Sequence, residues 1–143
     1  MLVPFDEKLK DIALKIKDIA YKLGLIADYV VEHGTDGIWT YRKWASGIAE
    51  CWGEQVENNG SFSAWGYLYA HDIPSVNFPS GLFEKVIIET AQAKQSGGNI
   101  VSSINSTGAD FKTKASQITC IRGAGQSGTA NFYAYRYAIG TWK

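Results

Sequence analysis

The stretch "DGIWTYRKWASGIAECWG", Asp36 to Gly53, holds three of the chain's five tryptophans and decides the fold. Ser46-Gly47 at its centre is a turn signal between two β-prone runs. A tight two-residue loop there pairs Ala45 with Ile48 and propagates a register outward. Tyr41 then opposes Trp52 and Lys43 opposes Glu50, while on the other face Trp44 meets Ala49 and Arg42 meets Cys51. Aromatic and opposite-charge cross-strand pairs each contribute roughly 0.2–1 kcal/mol, so the stretch reads as a hairpin.

Outward from the hairpin, the texture is period two. Strands are expected near 28–33, 37–45, 48–56, 62–72, 82–93, 98–105, 111–122 and 130–142, separated by "GTDG", "ENNGS", "PSVNFPSG", "QSGGN", "NSTGAD" and "GAGQSG". Many short strands at this spacing predict a mainly β protein, an antiparallel β-sandwich of jelly-roll type, over residues 29–143.

Residues 1–28 have a different texture. Leu2, Leu9, Ile16, Leu23 and Val30 fall at heptad position a, and Phe5, Ile12, Ile19 and Ile26 at d. Pro4 suits a first helical turn, and Asp6 and Glu7 suit its positive end. The strict 3-4 spacing predicts a coiled-coil oligomerisation helix, with Leu9, Ile12, Ile16, Ile19, Leu23 and Ile26 as its seam. Isoleucine at d disfavours the parallel dimer and moves the balance to trimers or tetramers, and a homotrimer is the expectation taken. An amphipathic helix packed on its own domain is the competing reading. Gly24 falls at an outer b position, where it costs helix propensity without interrupting the seam.

Composition narrows the function classes. With 14 basic and 14 acidic residues the chain lacks the basic footprint of a nucleic-acid binder. No apolar run is long enough to span a membrane, so no membrane partner is expected. The start, "MLVPFDEKLKD", lacks a signal-peptide core. Cys51 and Cys120 read as buried free thiols rather than a disulfide, and His33 and His71 stand alone without metal-ligand spacing, so neither metal nor cofactor is expected. "GAGQSG", Gly123 to Gly128, matches a dinucleotide-binding pattern, but a β-prone aromatic run follows it where a helix is required; it reads as a hairpin or binding loop. The carboxylates Glu50, Glu54, Glu57, Asp72, Glu84, Glu89 and Asp110 show no pairing at catalytic separation, and no serine sits in a nucleophile elbow. No catalytic residue is assigned and no enzyme is expected.

Two aromatic stripes are the candidates for binding. Trp65, Tyr67 and Tyr69 alternate with small residues in one, and Tyr133, Tyr135 and Tyr137 in the other. Trp and Tyr suit a wet interface or a sugar-stacking platform equally. Packing in the core and between subunits is the plainer of the two readings.

"DYVVEHGTDGIWTYRKWASGIAECWG" (Asp28 to Gly53), closed by "YAYRYAIGTWK" at the C-terminus, resembles the terminal domain of bacteriophage tail-fibre, head-fibre and minor structural proteins. The resemblance implies a trimeric β-rich tip behind a helical stem, located on a virion assembled in the host cytoplasm. It implies other virion proteins as partners and host-surface polysaccharide as a receptor, reached through loops such as "NSTGAD" and "GAGQSG" at the end far from the stem. It brings no catalytic residues. The rivals are a carbohydrate-binding module or lectin without a virion role, and a glycan-cleaving enzyme with an inter-subunit site.

Overall fold

A computed structural model describes residues 4–105 and 111–143. Leu2 of the heptad and most of the "NSTGAD" loop lie outside the described residues. Among those described, one helix, α1 (Phe5–Lys22), precedes ten strands. They are β1 (Val30–Asp36), β2 (Trp39–Trp44), β3 (Ile48–Trp65), β4 (Leu68–Ile73), β5 (Val76–Asn77), β6 (Lys85–Gln95), β7 (Val101–Asn105), β8 (Lys114–Ala115), β9 (Gln117–Arg122) and β10 (Gly128–Thr141). The protein is mainly β and antiparallel, as expected.

The helix is shorter than the heptad pattern. Gly24 adopts φ 72°, and the Gly24 and Leu25 amides bond back to the Tyr21 and Ala20 carbonyls, a Schellman ending that only a residue tolerant of positive φ takes at low cost. Gly24 therefore stops the helix, and Leu23 and Ile26 lie beyond it while Val30 opens β1. At ~1.5 Å per residue, α1 is about 27 Å long. Asp11–Lys15 and Asp18–Lys22 ion pairs, each 2.7 Å, line its polar side. No described residue of α1 is buried, so the helix is not packed into the core of its own domain.

The strand order replaces the jelly roll with a different arrangement. β1-β2-β3-β10-β6 form one sheet, and β4-β9-β7 form a second that joins the first through the far end of β3. The reason is the length of β3: its 18 residues pair with β2 and β10 and then turn into β4. The expected break near residue 56 is a bulge at Asn58-Asn59, with Asn59 at φ 56°, rather than a loop. One inserted residue exchanges the faces, so Ala49 and Cys51 point inward before it and Phe62 points inward after it.

The core has two parts. Trp39, Ala49, Cys51 and Ala138 of the first sheet meet Phe78, Leu82, Phe83 and Ala115 from a cover built on β5, β8 and the segment between β5 and β6. Phe62, Phe132, Ala93 and Ala134 meet Ile73, Ile118 and Cys120 where the two sheets face each other. Arg136, almost fully buried, bonds the Ser116 and Pro74 carbonyls and the Gln55 side chain, tying the cover to the sheet. Burial lowers its pKa, and three acceptors satisfy the guanidinium there. Cys51 and Cys120 are free and buried, one in each part of the core.

Candidate functional site

The opening hairpin forms, with a register one residue away from the two-residue expectation. Its loop is Ala45-Ser46-Gly47, closed by the Gly47 amide on the Trp44 carbonyl, with Gly47 at φ 98°. A three-residue loop with glycine last is the second common hairpin connection, and that glycine was the signal for it. Arg42 therefore opposes Glu50, Tyr41 opposes Cys51, Thr40 opposes Trp52 and Lys43 opposes Ala49. A slip of one residue changes every side-chain neighbour.

The corrected register builds a polar–aromatic cluster on the outer face of the first sheet, the face away from the cover. The Arg42 guanidinium lies 5.2 Å from the Trp44 ring centre and 5.1 Å from that of Trp52, and its Nε donates to Glu50 Oε1. Trp44 Nε1 donates to the same carboxylate at 3.3 Å and the Tyr137 hydroxyl donates to Oε2 at 2.9 Å. Burial alone would push the Glu50 carboxyl up; the hydrogen bonds from Arg42, Tyr137 and Trp44 and the Arg42 charge outweigh it and hold Glu50 below its usual range. The sequence placed Glu50 beside Lys43, whereas Lys43 reaches Glu32 at 3.0 Å.

The predicted aromatic stripes do not assemble into one platform. Residues 62–72 are not a single strand: Trp65 opposes Leu68 across a hairpin with Gly66 at φ 62°, so Tyr67 sits in the turn. Trp65 is 58% and Tyr67 94% exposed at this tip, while Tyr69 packs against the second part of the core. Tyr133, Tyr135 and Tyr137 do share the outer face of β10, where Lys94 lies over the Tyr133 and Tyr135 rings. The "GAGQSG" loop is not a hairpin. It carries the chain from β9 in the second sheet to β10 in the first, and Arg122 before it rests 3.6 Å over the Phe62 ring.

The oligomerisation residues stand open. Leu9, Ile12, Ile16 and Ile19 of α1 are exposed, as are Leu23 and Ile26 beyond it. His71, two residues beyond Tyr69 on β4, packs against the core. It stacks on Phe132, bonds the Ser61 carbonyl through Nδ1 and faces Glu57 at 3.1 Å through Nε2. Among the described residues no group of three His, Cys, Asp or Glu side chains could hold a metal ion. No helix among them is long and apolar enough to cross a membrane.

No family model and no curated protein matches the sequence. Solved structures do. The chain is similar to the C-terminal part of the R1 pyocin fibre of P. aeruginosa at 13% identity and TM-score 0.49, covering 85% of this chain and 30% of that one. It is also similar to N-truncated tail fibres of R1-type pyocin (13% identity, TM-score 0.45, 87% of this chain and 94% of that one) and R2-type pyocin (15%, 0.39, 81% and 40%). These similar structures are tail fibres. That is the class of protein the sequence resembles. With TM-scores below 0.5, no residue role, ligand or oligomeric state passes from them to this chain.

Proposed function

We propose that the chain is a non-enzymatic fibre protein of a phage-type particle, a parallel homotrimer whose β domain attaches to glycans of the host surface. The observation that carries the reading is the open seam of α1. Leu9, Ile12, Ile16 and Ile19 keep 3-4 spacing along a helix that buries none of them, with Ile16 62% exposed. Each side chain would gain about 1.5–3 kcal/mol on full burial, and two further copies of the same helix supply that burial symmetrically. Isoleucine at the two d positions of α1 after Phe5, 12 and 19, favours three strands over two. A stem of about 27 Å is short, so contacts between β domains would add to it. Exposed Val56, Ile88 and Tyr135 supply an apolar surface for them. The host, other particle proteins and the cytoplasm of assembly follow from the tail-fibre resemblance.

Multi-angle light scattering on the full chain at micromolar concentration tests the assembly. A trimeric mass is expected, and a monomer overturns the reading. Binding of the labelled protein to intact cells of its host tests attachment separately.

A further inference from the structure

We infer that the outer face of β1, β2 and β3 carries a saccharide-binding groove, bordered by Val30, His33, Thr40, Arg42 and Trp52, that receives one hexopyranose unit against the Trp52 ring. The inference rests on the attachment reading above and locates the site of that attachment.

The groove holds about 310 Å³, at the lower end of small-molecule sites. Its shape follows from the register. Thr40, a small residue, opposes both Thr35 on β1 and Trp52 on β3, so the floor is low where one wall is tall. Strands β1 and β3 lie about 10 Å apart across β2, a width that admits a six-membered sugar ring. Trp52 remains 37% exposed although its indole belongs to the Arg42 cluster.

The chemistry lining the groove is that of a sugar. A pyranose has one face of C–H groups and a rim of hydroxyls, so it needs an aromatic surface beside fixed donors. Trp52 is the surface. Arg42 is the donor: its Nε is taken by Glu50, and its two terminal nitrogens make no hydrogen bond to another described residue. The neighbouring tryptophans and Glu50 hold the guanidinium in place before any ligand arrives, which reduces the ordering cost of binding. His33 opposes Arg42 on β1 and adds a ring nitrogen, and Thr40 adds a hydroxyl. Glu50 neutralises Arg42, so the cluster carries no net charge and matches an uncharged hexopyranose better than a free anion. An open groove binds one unit weakly, and three copies on one particle would multiply its avidity.

Saturation-transfer NMR on the full chain tests the inference, with millimolar methyl pyranosides of glucose, galactose, mannose and N-acetylglucosamine as probes. At least one probe is expected to receive saturation at its C–H protons. Trp52→Ala should weaken that binding by about tenfold or more. Thr40→Tyr, which fills the floor without touching the Arg42–Glu50 pair, should abolish it while the melting temperature and oligomeric mass stay unchanged. Trp65→Ala at the distant tip should leave it intact. Loss of binding in Trp65→Ala with retention in Thr40→Tyr overturns the groove but not the attachment reading. Transfer to none of the probes also overturns the groove. The whole-cell binding assay then decides the attachment reading by itself.

Discussion

Glu50 is the residue on which the outer face turns. It accepts from Arg42, Trp44 and Tyr137, and its carboxyl titrates below the ordinary range because those donors outweigh burial. A lowered folded pKa means that the unfolded chain binds the proton first. The stability Glu50 lends is therefore present above the usual glutamate range and is lost as pH falls through the lower folded value. Glu50→Gln should flatten the acid limb of a melting-temperature profile and lower the plateau at neutral pH; an unchanged acid limb would show that another group governs it. The buried thiols behave oppositely. Burial pushes Cys51 up to about 12 and Cys120 to about 11, so neither ionises near neutral pH. Both should resist alkylation in the folded protein and react after denaturation, and reducing agent should leave the melting temperature unmoved. Gly140 is the tightest backbone contact of this kind: a methyl there would run into the Lys85 carbonyl between β10 and β6. Gly140→Ala should cost about 3 kcal/mol, read by chemical denaturation.

Among the elements, α1 and the cover over the first sheet make distinct contributions. The helix contributes nothing to the core of its own domain, so damage to its seam should spare the fold and remove assembly. Ile16→Asp with Ile19→Asp should lower the scattering mass while the β signal in circular dichroism persists. Retention of the trimer would place the assembly contacts elsewhere. The cover behaves in the opposite way. Arg136 fastens Pro74, Ser116 and Gln55, so Arg136→Ala leaves buried acceptors without donors and should destabilise by about 2–5 kcal/mol with the helix unaffected. Loss of Tm without change of oligomeric mass is the expected signature.

Across the whole molecule, two ends are chemically different. The end near the stem is locked by Asp28 accepting from the Ser46 amide and by Trp142 bonding the Gly47 and Trp44 carbonyls. The far end carries the exposed Trp65-Gly66-Tyr67 turn and the Gly123–Gly128 loop. The 18 residues of β3, with the bulge at Asn58-Asn59 between, connect these ends. The saccharide groove lies on the flank nearer the stem, whereas the sequence directed attention to the distal loops. Fluorescence quenching by bound ligand should therefore be lost with Trp52 and not with Trp65.

Period-two alternation, turn clusters and the 3-4 repeat were local signals, and local chemistry alone suffices for a mainly β antiparallel domain behind an amphipathic helix. Glycine spacing also carried more than a two-residue turn: Gly47 marked the third loop position, and Gly24 marked where the helix stops. What no local pattern carried was the exchange of faces at Asn59, because a bulge becomes visible only against the partner strand. The same holds for β3 serving two sheets and for His71 packing against the core. The Arg42 cluster joins residues from β2, β3 and β10, and its existence depended on a one-residue choice of register. That choice rests on packing energy summed across the sheet, so composition and spacing determined the kind of protein, while tertiary structure decided which side chains meet.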